Sequence, residues 1–141
     1  MLSVSQCVIF CNTRARVEQL AAYMREQRHT VDVIHSELPQ EQRHQVVEAF
    51  KAGSSRVLIA SGILARGVDV QGLSLVVNFD LPRDREEYLH RVGRVGRYGR
   101  KGVAINFVTQ RDAGVMREIE EHYSLAVEAL PDDLASLAGG A

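Results

Sequence analysis

Short apolar runs alternate along this chain with stretches whose apolar residues recur at helical spacing, and that alternation constrains the fold more than any other feature. The runs are residues 6–11 (Gln-Cys-Val-Ile-Phe-Cys), 30–35, 56–60 (Arg-Val-Leu-Ile-Ala), 75–79 (Leu-Val-Val-Asn-Phe) and 103–108. Each is rich in β-branched or aromatic side chains and too short for a helix, so each reads as a buried strand. Asn12-Thr13 offers an N-cap for a helix over 14–27, in which Val17, Leu20, Ala21 and Met24 share one face. Pro39 suits a first helical position and Gly53 a stop, with Val46, Val47 and Phe50 as the packing stripe between them. A third helix is expected to start near Asp84 and unravel around 93–96. A fourth covers 111–122, with Val115, Met116, Ile119 and Tyr123 inward. Strands and helices in alternation, joined by short loops, predict one α/β domain over 1–141: a parallel sheet with helices on both faces.

Ligands of such sheets bind beyond the carboxyl ends of the strands. Functional weight therefore falls on Asn12-Thr13, on His35-Ser36-Glu37, on residues 61–69 and on residues 80–84. In the third of these loops, Ser61 offers a hydroxyl to a phosphate and Asp69 an acceptor to a ribose hydroxyl; the same residues also suit a plain turn with Gly67 in a strained conformation. Gln40-x-x-Arg43 opens the second helix, where free N–H groups and a nearby guanidinium suit a phosphate, although an Arg there also serves solubility alone.

The densest chemistry lies at His90-Arg91-Val92-Gly93-Arg94-Val95-Gly96-Arg97-Tyr98-Gly99-Arg100. Three glycines so close together end a helix, each costing about 1 kcal/mol against alanine. The fraying end is expected to aim guanidinium groups outward from bare backbone, for a two-pronged grip on phosphate. Formal net charge is only -1, so the positive run marks a local site rather than a generally basic protein. A solvated basic face or an unspecific RNA-binding patch remains open on these residues alone. Between Asp112 and Asp133 the charge inverts: Asp112, Glu118, Glu120, Glu121, Glu128, Asp132 and Asp133 face only Arg117.

Several chemistries are disfavoured. With no run of about 18 apolar residues, nothing spans a membrane, and residues 1–6 lack the regions of a secretory signal. Cys7 and Cys11 on one strand stand roughly 13 Å apart, too far for a disulfide, and neither has partners at metal-ligand spacing. A reduced, metal-free, intracellular protein is expected, and a monomer. His90 has no acidic or nucleophilic neighbour at useful spacing, which favours a positioning hydrogen bond over proton transfer. No G-x-x-x-x-G-K-[ST] loop is present, so the domain alone should not hydrolyse a nucleotide. It is equipped instead to supply arginines that complete another domain's site.

Taken together and in order, Asn12-Thr13 after Val-Ile-Phe-Cys, Gln40-x-x-Arg43, Ala65-Arg66-Gly67-Val68-Asp69 and His90-Arg91-x-Gly93-Arg94-x-Gly96-Arg97 resemble the C-terminal RecA-like domain of DEAD-box RNA helicases. Asp80-Leu81-Pro82 and Tyr98-Gly99-Arg100-Lys101-Gly102-Val103-Ala104-Ile105-Asn106-Phe107 are most similar to the translation initiation factor 4A branch. The resemblance implies an ATP-dependent RNA helicase of which this chain is the second lobe. Arg94 and Arg97 would reach the terminal phosphate of ATP across a cleft, with Gly67 and Asp69 near its ribose. Asn12, Thr13, Arg43 and Ser61 would hold the RNA backbone, while Arg66, His90 and Arg91 position groups between the lobes. ATP and its magnesium would sit mainly on a first lobe absent from this chain. Partners would be RNA, that first lobe and translation-initiation or RNA-processing scaffolds, in cytoplasm or nucleus. Met1 directly before the first strand fits an excised lobe, with a stand-alone domain left open.

Three positions depart from the family's usual pattern: Gly62 stands where Asp is usual, Val95 where Ser or Thr is usual, and Ser36 where Gly is usual. A lost hydrogen bond is worth about 0.5–1.5 kcal/mol, enough to slow coupling by about tenfold. A catalytically weakened relative, acting as RNA clamp or scaffold, is therefore the alternative.

Overall fold

A computed structural model of the chain describes residues 6–35, 37–61, 75–82, 85–92 and 103–123. The elements run β1 (Cys7–Cys11), α1 (Arg14–Glu26), β2 (Val31–Ile34), α2 (Gln40–Lys51), β3 (Val57–Ser61), β4 (Leu75–Asn78), α3 (Arg85–Val92), β5 (Val103–Asn106) and α4 (Ala113–Tyr123). Among the described residues the strands form one parallel sheet in the order β2-β3-β1-β4-β5.

β1 lies at the centre and is buried at every residue, which is why it reads as an unbroken apolar run rather than an alternating one. Its side chains nevertheless sort by the strand's period of two. Cys7, Ile9 and Cys11 pack with Val17 and Ala21 of α1 and with Ile59. Val8 and Phe10 pack on the other face with Val47 and Phe50 of α2, Leu58 and Ala60. Helices thus cover both faces, as the alternation requires. A third cluster joins Leu81 and Tyr88 to Met116 and Ile119, seating α4 on α3.

Helix α1 begins where the sequence places it: Thr13 is its N-cap, and its Oγ1 accepts from Arg16 N at 3.2 Å. The expected face is inward, with Val17 and Ala21 buried and Leu20 and Met24 half-buried. Helix α2 departs slightly from expectation, because Pro39 is the N-cap at φ -55° and ψ 147° rather than the first helical residue. Gly53 follows the helix end at φ +91°, the left-handed conformation that glycine adopts without a Cβ penalty. Ser61 is a second correction. It is not loop but the last residue of β3, paired with Cys11 and buried. Helix α3 ends at Val92, just before Gly93. In α4, Met116 and Ile119 are buried and Val115 is half-buried, while the side chain of Tyr123 lies outside the described set.

Candidate nucleic-acid interface

All five strands point the same way, so the residues that follow them share one rim. Along it, in sheet order, stand His35 after β2, Ser61 ending β3, Asn12-Thr13 after β1, Phe79-Asp80 after β4 and Phe107 after β5. The register pairs Cys11 with Ser61, so the expected phosphate-gripping residues Asn12, Thr13 and Ser61 belong to neighbouring strands. Thr13 is exposed, Asn12 half-buried and Ser61 buried. Arg43 is half-buried in the first turn of α2, its N–H donating to Pro39 O at 3.0 Å.

The chain leaves β1 toward β2 on one side of the sheet and leaves β4 toward β5 on the other. Between β1 and β4 these departures diverge and open the crevice in which such sheets usually bind a ligand. Here the crevice is filled by Arg91. Its guanidinium is fully buried and lies over the Phe10 ring, 5.3 Å from the centroid. Nη1 donates to Asn78 Oδ1 at 3.2 Å and to the Asp80 carbonyl at 2.8 Å; Nη2 donates to Asn12 Oδ1 at 2.8 Å and to Glu87 Oε2 at 3.2 Å. The first arginine of the run therefore turns inward, where the sequence suggested an outward fork. A helix that packs Tyr88 into the core must bury position 91, three residues on, on the same face. Glu87, four residues back and only 13% exposed, balances the charge.

Arginine only donates, and this fixes the direction of its neighbours. Asn78 must face it with oxygen, leaving Nδ2 to donate to Asn106 Oδ1 at 2.7 Å; Asn106 Nδ2 then donates to Tyr88 Oη at 3.1 Å. On the other side Asn12 accepts from Arg91 with Oδ1, so its Nδ2 is turned to the Leu81 carbonyl at 2.9 Å. One polar chain thus runs from β5 through β4 and α3 to the loop after β1. Asp80 holds the same loop from outside: Oδ2 accepts from Asn12 N at 2.9 Å, and Oδ1 receives Arg16 Nη2 at 3.0 Å. Arg16 also lies over Phe79, whose ring stands 5.5 Å from that of Phe107.

Cations at the start of α1 are already engaged within the domain. Arg14 bonds to Glu18 and Glu37, and Arg16 to Asp80. His35 accepts from Glu37 N on Nδ1 at 3.3 Å and turns Nε2 to Glu18 Oε1 at 3.9 Å. Beneath the rim, burial pushes the Cys11 thiol up to about 12, with the Asp80 charge raising it further and Arg16 and Arg91 opposing. Burial alone pushes Cys7 up to about 11. Neither thiol is equipped as a nucleophile. Among the described residues no three His, Cys, Asp or Glu side chains gather as a metal site, and no helix is long and apolar enough to cross a membrane.

Arg66, Gly67, Asp69, Arg94 and Arg97 lie outside the described residues, as do Ser36, Gly62 and Val95. His90 is described only as part of α3. Sequence reasoning did not single out Tyr88, Glu87, Asn78 and Asn106. A signal existed: β4 and β5 each end in an Asn that a Phe follows, and the register sets Asn78 beside Asn106.

The pattern of the helicase conserved C-terminal domain matches residues 1–99. The chain is 57% identical over 136 residues to the ATP-dependent RNA helicase eIF4A of Candida albicans, covering 96% of this chain and 34% of that protein. It therefore spans about a third of the length of the curated relatives it matches. Among solved structures it is similar to the C-terminal domain of the DEAD-box protein Dbp5, with a TM-score of 0.84 at 33% identity, over 97% of this chain and 81% of that one. It is also similar to Saccharomyces cerevisiae Dbp5 bound to RNA and ADP BeF3, with a TM-score of 0.85 at 33% identity, over 98% and 38% of the two chains.

Proposed function

This chain belongs to the DEAD-box RNA helicases, as their C-terminal RecA-like domain, and from that premise we propose that it is the second lobe of an ATP-dependent RNA helicase. The lobe grips an RNA backbone at its sheet rim and presents arginines to ATP held by a first lobe. The observation that carries this reading is the rim itself. Asn12-Thr13 and Ser61 stand at the ends of adjacent strands, and Arg91 ties that edge to the helix after which the arginine run continues in sequence.

Each residue has a physical part. Thr13 caps α1, so a phosphate at that helix start meets backbone N–H groups and the positive end of the helix dipole. Arg43 brings the same features to the start of α2. Contacts of this kind read backbone, and base preference should be weak. Arg94 and Arg97 supply charge where it develops on the transferred phosphoryl group, while Gly67 and Asp69 meet the ribose. His90 and Arg66 position groups between the lobes. Magnesium would accompany ATP on the first lobe, neutralising phosphate charge there. RNA unwinding follows when ATP closes the lobes on a bent strand.

In the two-lobed protein, Arg94→Ala should lower RNA-stimulated ATP turnover by about a thousandfold, the scale of an arginine finger. Turnover at the parent's rate would remove Arg94 from that role. The departures at Gly62 and Val95 favour a second reading, a catalytically weakened clamp or scaffold. If it holds, Gly62→Asp with Val95→Ser raises turnover.

A further inference from the structure

We propose that Asp80 decides how the rim holds RNA: it is a positioning residue that fixes the Asn12-Thr13 loop and withholds the Arg16 guanidinium from phosphate. The inference rests on the helicase reading above. Asp80 is itself firmly placed. Its N–H and that of Phe79 both donate to the Phe10 carbonyl, at 3.3 and 3.0 Å, and its own carbonyl accepts from Arg91 at 2.8 Å. With the backbone held on both sides, the carboxylate reaches from the end of β4 to the loop after β1 and the first turn of α1. Oδ2 accepts from Asn12 N at 2.9 Å, while Oδ1 accepts from Arg16 Nε at 3.2 Å and from Nη2 at 3.0 Å.

Arg16 stands one turn after Thr13 on α1, so a phosphate at Thr13 lies within reach of its side chain. The side chain is 46% exposed, yet its charge is engaged. Two of its three nitrogens face Asp80, and the guanidinium lies over Phe79, 4.9 Å from the ring centroid. The acid of this two-pronged pair is only 17% exposed, which shields it from competing solvent. Arg14 is held more loosely, because its partners Glu18 and Glu37 are 52% and 63% exposed. The loop therefore meets RNA with N–H and hydroxyl groups, and the Arg16 charge stays within the domain. A free cation at this place holds any polyanion. Asp80 keeps the rim from becoming such a general anion clamp.

The test is the salt dependence of RNA binding, measured on the two-lobed protein with fluorescent oligouridylate across a potassium chloride series. Each phosphate neutralised on a single strand adds about 0.7 to the slope of log Kd against log salt. Asp80→Asn keeps an acceptor for Asn12 N and frees the Arg16 charge, so the slope should rise by about 0.7. That rise is an extra loss of affinity of about threefold for each fourfold increase in salt. Arg16→Gln alone should leave the slope as it is, and combined with Asp80→Asn it should take the rise away. If Asp80 is merely structural, Kd shifts equally at every salt concentration and the slope stays put, which overturns the proposal. A rise that persists without Arg16 overturns it too. Should a thermal melt show Asp80→Asn unfolded, Arg16→Gln still decides, since it changes an exposed side chain. A slope lowered by about 0.7 would mean that Arg16 already grips phosphate and would overturn the proposal, while an unchanged slope supports it. A parent that binds no RNA at any salt concentration is a different failure, because it removes the helicase reading and the proposal with it.

Discussion

Replacing Arg91 by methionine keeps an unbranched chain of similar reach and deletes the charge. Four acceptors then lose the bond that Arg91 donates: Asn78 Oδ1, Asn12 Oδ1, the Asp80 carbonyl and the Glu87 carboxylate. Glu87 matters most, since at 13% exposure it is a nearly buried anion that loses the guanidinium 3.2 Å away. Breaking a buried pair from one side costs about 3–5 kcal/mol, roughly a fifth or more of what a domain of this kind holds at about 5–15 kcal/mol. With a urea slope near 2 kcal/mol per molar, the midpoint should fall by about 2 M. The double variant Arg91→Met with Glu87→Met removes both charges and should recover at least half of that loss, because an apolar replacement of a whole buried pair is often close to neutral. Urea unfolding of the isolated chain, followed by circular dichroism, reads all three midpoints. A single variant within about 0.5 M of the parent, or a double variant no better than the single, would refute the claim that Glu87 and Arg91 are an interdependent buried pair.

Thr13→Ala removes the cap acceptor of α1 and should cost about 1 kcal/mol of stability, while Thr13→Ser should keep most of it; equal losses in the two variants would mean that Oγ1 does not cap. Cys7 and Cys11 should react with a thiol reagent at pH 8 only as fast as the domain unfolds, since both are buried and their pKa values stand at about 11 and about 12. Labelling of both within the mixing time, without denaturant, would contradict that burial. The sign of the pH effect follows: the folded thiols titrate above the ordinary value of 9.0. Their contribution is whole below pH 9 and is lost as pH rises through about 11 and about 12. Stability measured in alkali should therefore fall with rising pH in the parent and fall less in Cys7→Ala with Cys11→Ala.

Local periodicity made the frame legible. Val17, Leu20, Ala21 and Met24 announce the inner face of α1 because a helix repeats within its own length, and the run 6–11 announces a doubly buried strand because nothing polar interrupts it after Gln6. Thr13 was readable for the same reason, its partner Arg16 being one turn away. The polar chain at the rim was not. Asn12 and Asp80 are 68 residues apart in sequence, and Asn12 and Arg91 are 79 apart. A run of evenly spaced arginines gives no sign of which one is needed inside. Only the packing of Tyr88 under α4, and the opening between β1 and β4, decide that Arg91 turns in. Ser61 was read as loop because the apolar run stops at Ala60, although pairing with Cys11 extends β3 by one residue.

Whether this chain is the RNA-coupled lobe of an ATP-driven helicase is decided by ATP hydrolysis of the chain joined to its first lobe, measured with and without single-stranded RNA. Turnover should rise with RNA and saturate as RNA binds. Turnover that stays flat while RNA is demonstrably bound would contradict that reading and favour the clamp.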